Sequence, residues 1–196
     1  MTTATQVKNP QIPAWHTEQD AIEQDARALV EGLRDEQMSW RPAEGAGRWS
    51  ITQCLEHLAI TGELLLHKLR PALDRAHREG RVGAGPFPYG AVGGWFVKAM
   101  ERPGKRPMRA PKNFIPQGTL GREEVLQRFF AVQQLLRETL DMADGVRLDR
   151  IKVPSAAQGA GWLKLNAAAW VAATMAHQRR HLAQARAVKK SSEFPR

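Results

Sequence analysis

The chain has a single cysteine, Cys54. One thiol cannot form an intrachain disulfide, so a disulfide scaffold is excluded and a reducing compartment fits. Long apolar runs are missing too. Nothing approaches the roughly 20 consecutive apolar residues of a membrane span. The opening stretch, MTTATQVKNPQIPAWHTEQD, lacks the apolar region of a secretory signal. No membrane partner and a cytoplasmic location are the expectations. Internal repeats, a sustained heptad seam and low-complexity blocks are also missing, which argues against solenoids and coiled coils.

Acidic residues are in short supply: 20 against 29 Lys and Arg, for a net charge of +9. A basic footprint invites a nucleic-acid reading. Here, however, the charge is spread along the chain, densest in RPGKRPMRAPK and in VKK near the end. Spread charge favours solubility over recognition. A nucleic-acid partner is therefore not expected, and a basic nucleic-acid-associated module ranks as a third reading.

What is present is helical periodicity in a length of 196 residues, enough for one domain with a sizeable core. Ile22, Ala26, Leu29, Val30 and Leu33 share a face, and Thr17 is the predicted N-cap of that first helix. A second helix opens at Ser50, with Gln53 completing a capping box and Trp49 as a staple. Its apolar pattern runs through Cys54, Leu55, Leu58, Ile60, Thr61, Leu65, Leu69 and Leu73, and Pro71 should kink or interrupt it. From Gly80 to Gly121 the chain is rich in Gly and Pro, with a short helix predicted around Trp95–Glu101 and a packed cover rather than a loose linker expected. A third long helix is predicted from Arg122 to about Asp144, buried through Val125, Phe129, Val132, Leu136 and Leu140. Asn166 should cap a fourth that runs through Ala187. Four long helices with one long Gly/Pro-rich insertion between the second and third read as an all-α four-helix bundle. The expected organisation is an N-terminal extension (1–15), the bundle domain (16–188) and a disordered basic tail (189–196).

The chemistry-bearing residues are histidines. His177 and His181 stand at i and i+4 in WVAATMAHQRRHLAQARAV, so their side chains share one helical face. They are either solvated polar residues or a pair aimed at a common ion; a third partner decides. Ala169, Ala173 and Thr174 leave room on or beside that face. On the second helix His57 lies within the apolar stripe and faces inward. A buried imidazole needs polar partners or a metal. Three converging imidazoles suit Zn, Ni, Fe or Cu. Three protein ligands leave a coordination position open, as in catalytic rather than structural sites.

The segments RWSITQCLEHL, MRAPKNFIPQG and KLNAAAWVAATMAHQRRHLAQ together resemble the DinB-like superfamily, the DinB/YfiT-like metalloenzymes, from about His16 to Val188. The paired motifs are W-S-x-x-x-x-x-E-H-L on one helix and H-x-x-R-H-x-x-Q on another. The resemblance implies a four-helix bundle with up-down-down-up connectivity. It also implies a divalent metal held by one His of the second helix and two of the last, which fall on His57, His177 and His181. Some relatives are thiol-dependent transferases or isomerases that use bacillithiol or mycothiol.

Several neighbours are weighed with the triad. Cys54, three residues before His57, reads as a small core residue rather than a fourth ligand. Glu56 should project about 100° from His57 and is discounted as a catalytic base. Arg180 is read as an ion-pair partner first and an anchor for an anionic substrate second. Gln184 could steady an imidazole. Trp49 and Trp170 read as core anchors, and Trp95 as a residue of a pocket mouth.

The function expected is that of a DinB-like metal-dependent protein. A bound divalent ion would lower the pKa of a water or thiol and present a nucleophile at neutral pH. The resemblance places small-thiol transfer or isomerisation, in detoxification or stress response, first. A metal-dependent hydrolase and a non-catalytic metal-binding stress protein are the alternatives. The partners expected are a small-molecule substrate of the low-molecular-weight thiol class and, in assembly, a second copy in a homodimer.

Overall fold

A computed structural model describes residues 9–41, 49–101 and 110–196. Residues 1–8 of the expected extension and 102–109 of the basic run lie outside the described residues. The protein is mostly helical. Its helices are α1 (Gln11–Val30), α2 (Asp35–Ser39), α3 (Ile51–Arg78), α4 (Gly90–Glu101), α5 (Arg122–Ala143) and α6 (Ala167–Lys189). Short 3₁₀ turns at Lys112–Phe114 and Leu148–Arg150 and two strands complete the described chain.

The all-α expectation fits broadly, with one small sheet added. β1 (Lys152–Pro154) and β2 (Lys164–Asn166) pair antiparallel, with Val153 opposite Leu165. Both of these residues are buried, and the Trp170 indole donates to the Val153 carbonyl across 2.8 Å. Three-residue strands are too short to show a periodicity in sequence.

α1 begins six residues before the predicted cap at Thr17. The Asn9 side chain accepts from the Gln11 N–H at 3.0 Å, and the Thr17 hydroxyl donates back to the Pro13 carbonyl. Pro10 and Pro13 lie at the start of α1. In the first turn the N–H groups have no intrahelical acceptor to lose. α3 likewise runs through Pro71 without interruption. Pro71 and His67, whose carbonyl forgoes its partner, both face solvent, while Leu69 and Leu73 on the other side are fully buried. Packing of that buried face outweighs the lost bond.

The predicted caps of α3 and α6 are present. Ser50 Oγ accepts from the Gln53 N–H and the Gln53 side chain accepts from the Ser50 N–H, both at 3.1 Å. Asn166 Oδ1 accepts from the Ala169 N–H at 2.8 Å. These caps set where each helix starts, and so where its histidines fall.

α3 packs on α5 and α6, α1 packs on the same two helices, and α4 lies along α6. The core between them holds Trp15, Ile22, Leu55, Leu69, Phe129, Leu140, Met175 and Leu182. Two close approaches depend on missing side-chain atoms. A Cβ on Gly62 of α3 would stand 2.4 Å from Val132 Cγ1 of α5, and one on Gly93 of α4 would stand 2.7 Å from Ala169 Cβ of α6. The room beside Ala169 is therefore taken up by α4. A buried amide chain runs across the core. Gln19 Nε2 donates to the Gln133 carbonyl at 2.5 Å, and Gln133 Nε2 donates to Gln178 Oε1 at 2.6 Å. Gln178 is thereby held from α5, which helps fix the rotation of α6 beside His177. Arg179 and Arg186 of α6 also pair with Glu18 and Asp25 of α1.

The stretch expected as a disordered tail, 189–196, starts in the last residue of α6. Beyond it, Phe194 stands edge-on to Trp40 with ring centroids 5.6 Å apart, and Gln37 Nε2 donates to the Pro195 carbonyl at 2.9 Å.

Candidate metal centre

α3 and α6 bring His57, His177 and His181 together, as their spacing and the inward stripe of α3 predict. Each offers a ring nitrogen, and the three nitrogens lie within 4.8 Å of one another. Ring centroids are separated by 4.5–5.0 Å, with the rings set edge to face. His57 and His181 are buried and His177 is half-buried.

Ring tautomers follow from the partners. His57 Nδ1 lies 2.7 Å from the Phe114 carbonyl. A carbonyl only accepts, so Nδ1 carries the proton and Nε2 keeps its lone pair. That lone pair points at His177 Nε2, 3.1 Å away. Two nitrogens bound to one ion at about 2.1 Å each would stand about 3.0–3.4 Å apart. The observed gap has that size. On His181, Nδ1 is buried without a hydrogen-bond partner, while Nε2 lies 3.3 Å from an Arg180 N–H. A guanidinium only donates, so His181 Nε2 also presents a lone pair.

Burial disfavours the charged form of all three rings. Desolvation is the largest cause in each case. It lowers His57 to about 4, with the nearby Arg180 charge adding to it and the Phe114 carbonyl opposing it. It lowers His181 to about 3, aided by His57 and Arg180 and opposed by Gln184. His177 falls well below its ordinary value for the same reason, with the other two histidines adding to it. At neutral pH the cluster is three uncharged imidazoles, the form that binds a metal. The donor set and the spacing fit a divalent ion, and imidazoles accommodate Zn, Ni, Fe or Cu alike.

The surroundings hold residues whose role the sequence did not reveal. The Trp49 indole stacks on His181 at 5.6 Å between centroids and leans on His57 at 4.6 Å, so it covers the rings rather than anchoring the core elsewhere. Glu56, discounted as a base, is buried. Its two carboxylate oxygens accept from the main-chain N–H groups of Gln117 (3.1 Å) and Gly118 (2.8 Å). It thereby ties down the segment that delivers the Phe114 carbonyl to His57. Gly118 has φ +73°, which a side chain would strain, and a Cβ there would meet Gln53.

Other candidates lie apart. Cys54 is fully buried in the core, outside the cluster, and burial pushes its thiol up to about 12. His16 pairs with Asp141, His77 donates to the Met142 carbonyl, and His67 is exposed. Trp95 sits exposed on α4 and is not among the residues that bound the cleft at His177. A narrow cleft does reach His177 between α3, α5 and α6, bounded by Thr61, Gly62, Val132, Thr174 and Gln178. Its interior, about 10 Å³, holds the centre of about one water.

Comparison with curated proteins and with solved structures finds no significant match to either. The family profile described as the DinB superfamily matches residues 19–185, most of the chain and all three histidines. The chain belongs to the DinB superfamily.

Proposed function

We propose that this protein is a DinB-type metalloprotein in which His57, His177 and His181 hold one divalent ion. In this reading α1, α3, α5 and α6 form the family's up-down-down-up bundle, and the described residues between 80 and 121, with α4 along α6, are an insertion that covers its side. The observation that carries the proposal is the convergence of three uncharged imidazoles, with the proton of His57 fixed on the far nitrogen by Phe114. When bound, the ion supplies a Lewis acid with at least one position open to a small ligand.

The chain's own residues do the rest. Phe114 and Glu56 hold the His57 ring in register, and Trp49 keeps bulk water from the triad. The leading activity is transfer or isomerisation with a small external thiol, in detoxification or stress response. The thiol has to come from outside, because Cys54 is sealed in the core. The cover of Trp49 over two of the rings favours a second reading, a metal-binding stress protein without catalysis. Metal analysis of untagged protein, followed by a thiol-conjugation assay with and without the ion, separates the two. Stoichiometric metal with conjugation supports the first reading, metal without conjugation supports the second, and no metal at any concentration refutes both.

A further inference from the structure

Arg179 and Arg180 are neighbours in sequence with opposite surroundings. Arg179 pairs with Glu18 and with Glu101. Arg180 is half-buried and has no carboxylate within ion-pair distance among the described residues; its one polar contact there is His181 Nε2. Elsewhere on the helices, Arg128, Arg137 and Arg186 each meet a carboxylate. Glu56, beside the triad in sequence, commits its oxygens to Gln117 and Gly118.

Among the described residues the charge balance around the triad is accordingly one-sided. Three uncharged imidazoles neutralise nothing, a divalent ion would add two positive charges, and Arg180 supplies a third. A partly desolvated cation without a counter-charge is costly. A guanidinium presents five N–H donors in a planar fork that matches a carboxylate, and His181 can accept from only one of them. We propose that Arg180 is the binding residue of an anion subsite beside the triad, and that the small molecule taken there carries a carboxylate. The inference rests on the metal reading above and names the substrate class for that site.

The test uses the full chain loaded with Co²⁺, whose absorbance reports thiolate binding directly. Two probes of equal size are titrated, 3-mercaptopropionate and its neutral amide. The carboxylate probe should bind at least about tenfold tighter, since a charge-assisted hydrogen bond is worth that much. Arg180→Gln should abolish the preference while cobalt stoichiometry is retained, and Arg180→Lys should keep part of it. If cobalt binds and the wild-type protein takes both probes equally, the anion subsite is wrong and the metal reading stands. A preference that survives Arg180→Gln also overturns it. Cobalt that does not bind at all overturns the metal reading and this inference together. Equal binding of the two probes by the wild-type protein overturns the subsite even where a variant folds poorly.

Discussion

His57 and Phe114 are joined by a 2.7 Å hydrogen bond from ring Nδ1–H to the main-chain carbonyl. That bond fixes which nitrogen of His57 can face an ion. The carbonyl is in place because Glu56, one residue before His57, holds Gln117 and Gly118. Glu56→Ala should therefore lower stability by about 2 kcal/mol or more, as two hydrogen bonds to a buried carboxylate are lost. It should also weaken divalent-metal affinity by about 10–100-fold, the usual effect of removing an outer partner of a ligand. Glu56→Gln keeps a carbonyl acceptor and should lose less of both. Urea unfolding and metal titration check this; unchanged affinity in Glu56→Ala would show that the segment does not orient the ring.

Replacing His181 with Ala tests structure against binding. α1, α3, α5 and α6 also pack on one another through many apolar residues outside the triad. The variant should keep its circular dichroism and lose well over about 100-fold in metal affinity, more than an outer-partner loss. A variant that unfolds would make the triad mainly structural.

Acid should destabilise the metal-free protein through the same three rings. Their folded pKa values are depressed, to about 4 for His57 and about 3 for His181, with burial as the main cause. The unfolded chain then binds more protons than the native state below the ordinary histidine value of about 6.5. Stability is full above that pH and declines as pH falls toward 4. Urea midpoints measured from pH 7.5 to 4.5 should fall across this window, and fall less in His57→Gln. A flat profile would place the rings in contact with water.

The approach of α3 to α5 at Gly62 invites a coupled pair of substitutions. Alanine ordinarily stabilises a helix over glycine by about 1 kcal/mol. Gly62→Ala should instead cost about 1–3 kcal/mol, because the added carbon would fall on Val132. Adding Val132→Ala should recover part of that loss. A double-mutant cycle measures the coupling; additive effects would mean the helices part freely.

The shared face of His177 and His181 and the inward side of His57 were legible because each sits in a long helix whose start is declared by a cap, Ser50 for His57 and Asn166 for the pair on α6; that the three form one set was implied by the family resemblance. Once the starts are set, the 3.6-residue repeat decides which residues share a face. What was hidden is main-chain or relational. The Phe114 carbonyl has no side-chain signature, and the position of Trp49 over two rings depends on how α3 enters the core. The continuity of α3 was masked by Pro71, whose lost hydrogen bond falls on the solvent side while Leu69 and Leu73 pack on the other. Arg180 reads in sequence like its neighbour Arg179; only the placement of Glu18 and Glu101 separates them.

The sealed position of Cys54 makes the chain its own tracer for opening. A thiolate is needed for alkylation, and burial leaves almost none of it in the folded state. Each molecule can therefore gain one adduct, and only when α3 lifts away from the core. A pulse of iodoacetamide followed by intact-mass measurement would count those excursions molecule by molecule. With the ion bound, the count should drop in proportion to how tightly the native state holds it.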